Sequence, residues 1–237
     1  MTLISVIIPI GIGETAWKTL LPDLNALPNE CEIICVTSRD QDIPTEDTYT
    51  ALTHKKITWL TSNKGRAVQM NAGARVATGQ YLWFLHADTI CAENTISQLM
   101  DKIKSKPNAL LFFDLTFLKD GNRAMPINAF GAFIRSRFLK VPFGDQGFCL
   151  TRDLCLALGG YDETAPYGEG HLLVWRAHQN YIPVTPVKAT LYTSARKYKN
   201  NGWWKTTLSY QYLWIKQALP EAMKLLKGHG KIKGRKS

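Results

Sequence analysis

A carboxylate stands directly after one of the most apolar stretches of the chain. The run Y-L-W-F-L at Tyr81–Leu85 is typical of a buried strand, and His86 and Asp88 follow it at once. A carboxylate at the carboxyl edge of a sheet is well placed to hold a hard divalent cation, Mg²⁺ or Mn²⁺, that bridges the oxygens of a diphosphate. The alternative is structural, with Asp88 as the cap of the following helix. The sequence therefore predicts either a metal ligand or a helix cap at this position.

A glycine-rich turn follows the first apolar stretch. Gly11–Ala16 reads G-I-G-E-T-A and formally fits the G-x-G-x-x-G/A fingerprint of dinucleotide-binding proteins. That fingerprint needs an acidic residue at the end of the next strand, where this chain has Thr37, and Glu14 would face a pyrophosphate with the wrong sign of charge. A tight turn into a helix is the simpler interpretation. A dinucleotide-dependent oxidoreductase is therefore kept only as an alternative.

The elements that must position these residues alternate between strands and helices. The first half of the chain predicts strands at Leu3–Ile10, Glu32–Val36, Ile57–Leu60 and Tyr81–Leu85, and helices at Glu14–Leu27, Arg66–Thr78 (closed by Gly79) and Glu93–Lys104. The second half predicts strands at Ala109–Phe117, Phe148–Thr151 and Val184–Leu191, and helices at Pro126–Leu139, Asp153–Leu158, His171–Gln179 and over the terminal aromatic segment. This alternation indicates an α/β fold with a mostly parallel open sheet flanked by helices, which binds ligands at the carboxyl ends of its strands.

The composition is that of a globular protein with a basic excess. The 237 residues carry 29 Lys and Arg against 19 Asp and Glu, a formal net charge of +10, and 45% of them are hydrophobic. This composition supports a full core and excludes a disordered chain. The five cysteines show no C-x-x-C spacing, which predicts reduced thiols rather than disulfides or zinc ligands. No apolar stretch reaches the roughly 18 residues of a spanning helix, and the start of the chain does not resemble a secretory signal, so we expect a cytoplasmic protein.

The basic excess is concentrated at the end of the chain. Residues 216–237 hold seven basic residues against one acid, and the segment before them interleaves lysines with apolar side chains such as Trp203, Trp204, Leu208 and Tyr212. Aromatic residues alternating with lysines favour a C-terminal amphipathic helix that lies on an anionic membrane surface, peripheral at the inner membrane face. A solvated tail is the alternative. Nucleic acid is not an expected partner, because the basic residues form no stripe across the whole chain.

Five short motifs resemble glycosyltransferase family 2, and within it the bacterial branch of arsenosugar-type glycosyltransferases. They occur in the order of that family and cover roughly Leu3 to Trp204. The motifs are G-R-A-V-Q-M-N-A-G-A at Gly65–Ala74, F-L-H-A-D-T at Phe84–Thr89, P-F-G-D-Q-G at Pro142–Gly147, L-G-G-Y-D at Leu158–Asp162 and T-S-A-R-K at Thr193–Lys197.

The resemblance implies a GT-A fold over residues 1–202, followed by the amphipathic helix and basic tail at 203–237. It also implies a nucleotide-sugar donor, a divalent metal, and inversion at the anomeric carbon. Asp88 matches the metal and diphosphate ligand of the family's D-x-D-like motif, here a single acid. The residues that match substrate-binding positions are Glu14, Thr37, Arg66, Asn71, Gln146, Arg196 and Lys197. Of these, Glu14 is the one acid left after the first strand, Thr37 stands where the family has a base-reading Asp, and Gln146 lies with Asp145 in the acceptor loop.

The position of the catalytic base departs from the family pattern. The Glu-Asp pair that supplies the base in the family falls on Glu169 and Gly170, so the Asp is missing. Glu169, His171 and Asp145 are the candidate bases, in that order, and a Gly170→Asp variant would test for a lost Glu-Asp pair. The alternative is a catalytically inactive GT-A-like binding protein. The resemblance leaves the acceptor unidentified, and a lipid-linked acceptor is one option.

Overall fold

A computed structural model describes residues 2–228 of the chain. Met1 and residues 229–237, which include Lys231, Lys233, Arg235 and Lys236 of the predicted basic tail, lie outside the described residues. Within them the strands are β1 (Ile4–Pro9), β2 (Glu32–Thr37), β3 (Lys56–Thr61), β4 (Tyr81–Phe84), β5 (Ile90–Cys91), β6 (Leu110–Phe117), β7 (Phe148–Thr151) and β8 (Val184–Thr193). The helices are α1 (Trp17–Asp23), α2 (Glu46–Thr50), α3 (Arg66–Val76), α4 (Thr95–Ser105), α5 (Met125–Phe138), α6 (Arg152–Ala157), α7 (Glu169–Gln179), α8 (Arg196–Asn201) and α9 (Trp203–Leu226).

The strands form one mixed, mostly parallel sheet in the order β3-β2-β1-β4-β7-β6-β8-β5. The strands β3, β2, β1 and β4 are parallel neighbours. Because β7 is antiparallel to both β4 and β6, β6 runs in the same direction as β4, and β8 is parallel to β6. The carboxyl ends of β1, β2, β3, β4, β6 and β8 therefore meet at the same edge of the sheet. This architecture confirms the predicted α/β fold.

Helices cover both faces of the sheet. The central strands β1, β2 and β4 are therefore buried along their whole length. On one face, α1 and α4 pack their apolar side chains against the strands through residues such as Leu20 and Leu99. On the other face, α3 and α7 do so through residues such as Met70 and Leu173. All five cysteines are free, which agrees with the prediction of reduced thiols.

Two predicted helices are shorter than the sequence indicated. The first begins at Trp17 rather than at Glu14, since the Glu14 carboxylate binds the backbone amides of Thr15 and Ala16, and beyond Asp23 it continues only as a 3₁₀ turn at Leu24–Ala26. The second ends at Val76 rather than at Thr78, because the backbone N–H and hydroxyl of Thr78 both donate to the buried carboxylate of Glu32, each at 2.8 Å. The short elements β5, α2 and α8 were not predicted, since so few residues give no periodic signal.

The C-terminal helix α9 begins at Trp203, the residue at which the amphipathic segment was predicted to begin. Its inner side packs against the core through Ala218, Ala222 and Leu225. Among the helices of the described residues, none combines the length and hydropathy that crossing a bilayer requires. The division of the chain at residue 202 stays a prediction.

Candidate functional site

A cleft of about 340 Å³ lies at the carboxyl edge of the sheet. Its polar lining comes from segments that follow four different strands: Glu14 after β1, Asp88 after β4, Asp120 after β6, and Ser194 and Arg196 after β8. Because these four strands run in the same direction, residues far apart in the chain converge there. Three of the predicted site residues, Glu14, Asp88 and Arg196, thus line one cleft.

Asp88 occupies a tight turn that directly follows β4. The N–H of Thr89 donates to the carbonyl of His86 at 3.1 Å and closes this turn, while Asp88 Oδ2 accepts a hydrogen bond of 3.4 Å from Thr193 Oγ1. The next helix begins only at Thr95, with Asn94 as its N-cap residue. Asp88 is therefore not the cap of α4, and the structural alternative for this carboxylate is wrong.

A second carboxylate, Asp145, is close enough to Asp88 for their charges to interact. Asp145 belongs to the 3₁₀ turn Gly144–Gln146, and its Oδ1 is buried without a hydrogen-bond partner. Burial raises the pKa of Asp145, the positive charges of Arg135 and Arg66 oppose this rise, and the negative charge of Asp88 adds to it. Asp145 Oδ1 is therefore an acceptor atom that no protein group of the described residues binds.

Arg66, the first residue of α3, contacts both Glu169 and His86. Its Nε lies 3.2 Å from Glu169 Oε1, and its Nη1 lies 3.3 Å from His86 Nε2. Burial, together with the positive charges of Arg66 and Lys197, lowers the pKa of His86 to about 3, so His86 is neutral and accepts from Arg66. Arg66, Glu169 and Lys197 were predicted as site residues. The role of His86 in joining them was not.

Glu14 fills the position at which a dinucleotide's phosphates would have to bind. Its Oε1 accepts from the N–H groups of Thr15 and Ala16 at 2.9 and 2.8 Å, and its Oε2 lies 3.7 Å from Arg196 Nη2. These amides are the ones that a pyrophosphate would use at the start of α1. The dinucleotide hypothesis is therefore disfavoured by the site's own geometry.

Asp120 is a cleft residue that the sequence reasoning missed. Its Oδ1 accepts from the N–H of Ala195 at 2.8 Å and its Oδ2 from Ser194 Oγ at 2.5 Å, while Arg196 Nε donates to the same Ser194 hydroxyl at 2.9 Å. Asp120 thus fixes the loop that carries Arg196 into the cleft. The available signal was its place shortly after the apolar strand that becomes β6.

The strand β2 ends at Thr37, where the resemblance would place an Asp. The carboxylate near this point belongs instead to Asp42, which was not predicted as a site residue. Thr37 is fully buried, and its hydroxyl lies 3.4 Å from both the N–H and the carbonyl oxygen of Arg39. Asp42 accepts hydrogen bonds from Nε and Nη2 of Arg39 at 2.8 and 2.7 Å. The Arg39 guanidinium holds the pKa of Asp42 below its usual range.

A comparison with protein families matches residues 5–156 to the model of glycosyl transferase family 2. The match covers more than half of the chain and includes β1 to β7. The chain belongs to glycosyltransferase family 2. A comparison with curated protein sequences finds no match.

Solved structures of S. aureus TarS share the fold of this family 2 chain. TarS 1-349 matches with a TM-score of 0.64 and 19% sequence identity over 81% of this chain and 60% of that one. The crystal structure of TarS 1-349 in complex with UDP-GlcNAc matches with a TM-score of 0.61 and 17% identity over 81% of this chain and 58% of that one. The chain thus spans about three fifths of the length of TarS 1-349, and the likeness concerns the fold.

Two polar residues of the family 2 motifs bind backbone groups instead of lining the cleft. The amide of Asn71 accepts from the N–H of Tyr161 and donates to its carbonyl, both at 2.8 Å, and donates also to Glu163 Oε1. Gln146 is fully buried; its Nε2 donates to the carbonyl of Phe113 at 2.9 Å, and its Oε1 accepts from the N–H of Phe143 at 3.1 Å. Asn71 and Gln146 therefore hold loops in place, and the substrate contacts predicted for them stay predictions.

His171 has both ring nitrogens engaged. Its Nδ1–H donates to Gln217 Oε1 at 2.7 Å, and its Nε2 accepts from Trp175 Nε1 at 2.8 Å. The side chain is 2% exposed, and this burial lowers its pKa to about 4. A general base needs a free lone pair within reach of the acceptor proton that it removes. Both ring nitrogens of His171 are already hydrogen-bonded, so this geometry argues against His171 as the base. It links α9 to the beginning of α7 instead.

The neutral state of His171 predicts a defined loss of stability in acid. An unfolded histidine with the ordinary pKa of 6.5 takes up a proton well above the pH at which His171 does in the folded protein. The unfolded state then binds more protons, so the free energy of unfolding falls as pH falls from 6.5 toward 4, by on the order of 3 kcal/mol from this residue. Urea unfolding across this range measures the slope. We expect a shallower slope in His171→Gln and the wild-type slope in a His54→Gln control, since His54 is exposed; equal slopes in all three proteins would refute the assignment.

Gly170 is in close backbone contact with Gly144. A Cβ at position 170 would lie 2.9 Å from the Cα and 3.1 Å from the N of Gly144, and 3.3 Å from the ring of Phe148. Real Cβ atoms do not approach backbone so closely, and the interior has no slack to absorb the clash. A Gly170→Asp replacement, the variant that would test for a lost Glu-Asp pair, therefore has to displace the acceptor-loop backbone at Gly144.

We accordingly expect Gly170→Ala to destabilise the protein by roughly 1–3 kcal/mol through overpacking. The matched control is Gly131→Ala, which lies in the interior of α5 with open space around its Cβ position and should gain up to about 1 kcal/mol in helix propensity. Chemical denaturation measures both changes. If Gly170→Ala were as stable as Gly131→Ala, the close contact between residues 144 and 170 would be wrong.

Proposed function

We propose that this protein transfers a sugar from a nucleotide-sugar donor to a hydroxyl group of an acceptor, with inversion and with the assistance of Mg²⁺ or Mn²⁺. The observation that carries the proposal is Asp88, a carboxylate at the end of a central strand that lines the cleft and does not cap a helix. Membership of glycosyltransferase family 2 supports the reaction class. The resemblance of five motifs supports a place within the arsenosugar-type branch.

Asp88 is the residue that we assign to the divalent cation. Its oxygens are ligands that Mg²⁺ and Mn²⁺ favour, and a single carboxylate suits a cation that also binds substrate phosphates. Over residues 2–228 no group of three or more His, Cys, Asp or Glu side chains comes together as a metal site, so the donor would supply further oxygens. When bound, the cation supplies positive charge to the diphosphate.

The cations Arg196 and Lys197 are the protein groups that we assign to the departing diphosphate. Both are exposed at the start of α8, and Arg196 projects toward Glu14 across the cleft. Negative charge develops on the diphosphate as the bond between its oxygen and the anomeric carbon breaks, so cations held there lower the barrier. Asp120 acts as a positioning residue, since it anchors the loop that carries Arg196.

Glu169 is the base that we favour. The acceptor oxygen forms its bond to the anomeric carbon while its proton passes to a carboxylate, and the electron pair of the broken bond leaves with the nucleoside diphosphate. Glu169 is mostly buried and held by Arg66 at 3.2 Å, which fixes its orientation. Asp145 is the second candidate, since its buried Oδ1 has no partner and its raised pKa suits proton uptake.

The uridine nucleotides are the first donors to test, because TarS, which shares the fold, has been crystallised with UDP-GlcNAc. The acceptor is not identified, and a lipid-linked acceptor remains part of the proposal, as does a cytoplasmic location at the inner membrane face. A binding protein without activity is the second candidate function, because Gly170 stands where the family has the Asp of its base pair.

Thermal unfolding with UDP, in the presence and absence of Mn²⁺, tests the proposal, since a ligand that binds only the folded state raises the melting temperature. We expect a rise with UDP and Mn²⁺ together that exceeds the sum of the separate effects. A rise with NAD⁺ alone would favour the oxidoreductase. UDP binding without any release of UDP from UDP-sugars would favour the inactive binding protein.

A further inference from the structure

The helix α5 presents an apolar face to solvent. Its exposed side chains recur every three or four residues, which places them along one side of the helix: Ile127, Phe130, Ile134 and Phe138, with Phe133 beside them. Phe130 is 66% exposed and Phe138 is 71% exposed. Its opposite side is buried through Met125, Ala132 and Ser136. Scattered apolar residues at a surface are ordinary, but a continuous row of phenylalanine and isoleucine marks an interaction site.

The helix α9 has a similar exposed row along most of its 24 residues. Trp204 is 70% exposed, and the spacing of the others follows the same helical repeat: Leu208, Tyr212, Ile215, Leu219 and Met223. This row lies on the side of α9 away from Thr206, the buried residue of the helix. The sequence predicted the apolar side chains of α9, whereas the exposed face of α5 is visible only in the structure.

The two helices lie side by side and are fixed to each other. Asn128 donates to Thr207 Oγ1 at 3.1 Å and accepts from Trp203 Nε1 at 2.6 Å, and the guanidinium of Arg135 lies 6.0 Å from the ring of Trp214. The residue nearer the start of α5, Asn128, contacts the start of α9, and Arg135, two turns later, contacts Trp214 further along α9. The helices α5 and α9 therefore run in the same direction. We call their exposed apolar rows together the α5–α9 surface.

The charged residues on these two helices are almost all basic. The segment Met125–Phe138 contains no Asp or Glu, and α9 contains a single acid, Glu221, which is bound by Lys224 at 2.6 Å and by Gln179. Arg123, just before α5, and Lys205 and Lys216 on α9 are exposed. Apolar bulk with aromatic rings and flanking cations is the combination that binds the interface of an anionic bilayer.

We infer that the α5–α9 surface binds an anionic membrane, with the apolar rows in the boundary between headgroups and acyl chains and the cations on the phospholipid phosphates. A second copy of the chain fits less well, because a two-fold interface places the same face against itself and would bring these cations together. Nucleic acid fits less well too, since most of the surface is apolar. The inference concerns a surface separate from the cleft and does not depend on the reaction.

The α5–α9 surface is connected to the candidate site through the inner sides of both helices. On α5, the buried guanidinium of Arg135 covers the ring of Phe143 at 3.4 Å and acts electrostatically on Asp145. On α9, Gln217 Nε2 donates to the carbonyl of Tyr167 at 2.9 Å, next to the start of α7. The two helices that carry the α5–α9 surface therefore also contact the segments next to the candidate bases Asp145 and Glu169.

Vesicle co-sedimentation of the full chain tests the inference. We expect binding to vesicles of phosphatidylcholine mixed with phosphatidylglycerol at low salt, and its loss at about 1 M salt, where the screening length is about 3 Å. The double variant Phe130→Ser, Phe138→Ser should lower the partition coefficient at least about tenfold, since two large apolar side chains no longer enter the bilayer. The variant Trp204→Ser, Leu208→Ser should act similarly. An unchanged melting temperature would show that each variant is folded.

The control is Leu156→Ser, which removes an exposed leucine from α6, outside the α5–α9 surface, and should bind as the wild type does. The inference is overturned if the wild type does not sediment, or if it binds neutral vesicles equally well at any salt concentration. Unchanged binding of the α5 variant would also overturn it, because the exposed row of α5 would then not contact the membrane. A concentration-dependent dimer that the same variants abolish would assign the surface to a second copy.

Discussion

Under the proposed function, the variant Asp88→Asn is expected to bind UDP no better with Mn²⁺ than without it, and to release the nucleoside diphosphate from the nucleotide-sugar donor at least about a hundredfold more slowly than the wild type. Asparagine keeps the size of the side chain but removes the charge that holds a hard cation. Changes even outside a metal's direct ligands cost about 10- to 100-fold in affinity or activity, so the loss of a ligand should reach or exceed that range. Calorimetric titration of UDP and Mn²⁺ measures the first effect, and a coupled assay for UDP measures the second.

A matched variant separates this effect from a general loss of charge. Asp101 lies exposed on α4, away from the cleft lining, and Asp101→Asn should leave both measurements unchanged. The hydrogen bond from Thr193 at 3.4 Å is long and contributes little, so the melting temperature of Asp88→Asn in the absence of ligands should stay near the wild-type value. Normal Mn²⁺-dependent UDP binding by Asp88→Asn would disprove the metal assignment.

The variant Glu169→Gln is expected to keep its affinity for UDP and Mn²⁺ and to lose turnover by about 10² to 10⁴, the usual contribution of a general base. The substitution removes the proton acceptor while it keeps the shape of the side chain next to Arg66. A loss that falls on turnover alone distinguishes a base from a group that only binds the donor. The measurement is the rate at which the nucleoside diphosphate is released from the nucleotide-sugar donor, together with the affinity for UDP.

Two comparisons make the result on Glu169 interpretable. Glu93→Gln replaces an exposed glutamate just before α4 and should have no effect. Asp145→Asn tests the competing base, whose buried oxygen lacks a partner. Full turnover in Glu169→Gln with collapse in Asp145→Asn would transfer the role to Asp145. Wild-type turnover in both variants would exclude both carboxylates.

The sheet and the place of Asp88 could be predicted because they depend on local signals. An apolar run such as Tyr81–Leu85 is buried on both faces of a parallel sheet wherever it occurs, and the residue that follows must lie at the carboxyl edge. The helix α3 and the strand β8 could be predicted on similar grounds, with errors of one or two residues at their ends. The convergence of Glu14, Asp88 and Arg196 then follows from strand direction alone.

The rest of the site depends on contacts that sequence reasoning from one chain does not reveal. An asparagine or glutamine in a motif can bind a substrate or a backbone amide with equal chemistry, and Asn71 and Gln146 bind the backbone. His86 becomes part of the site only because Arg66 reaches it across the fold. Asp120 could have been considered from its position after β6. Its role in holding the loop after β8 becomes visible only from its hydrogen bond with the N–H of Ala195.

The contact between Gly144 and Gly170 also bears on how this sequence can evolve. Any side chain at position 170 must push against the backbone of residue 144, which is the neighbour of Asp145. A single mutation that supplies a second acid beside Glu169 would therefore displace the other candidate base at the same time. We therefore expect the two positions to depend on each other, so that an acid at position 170 is tolerated only together with a compensating change around residue 144.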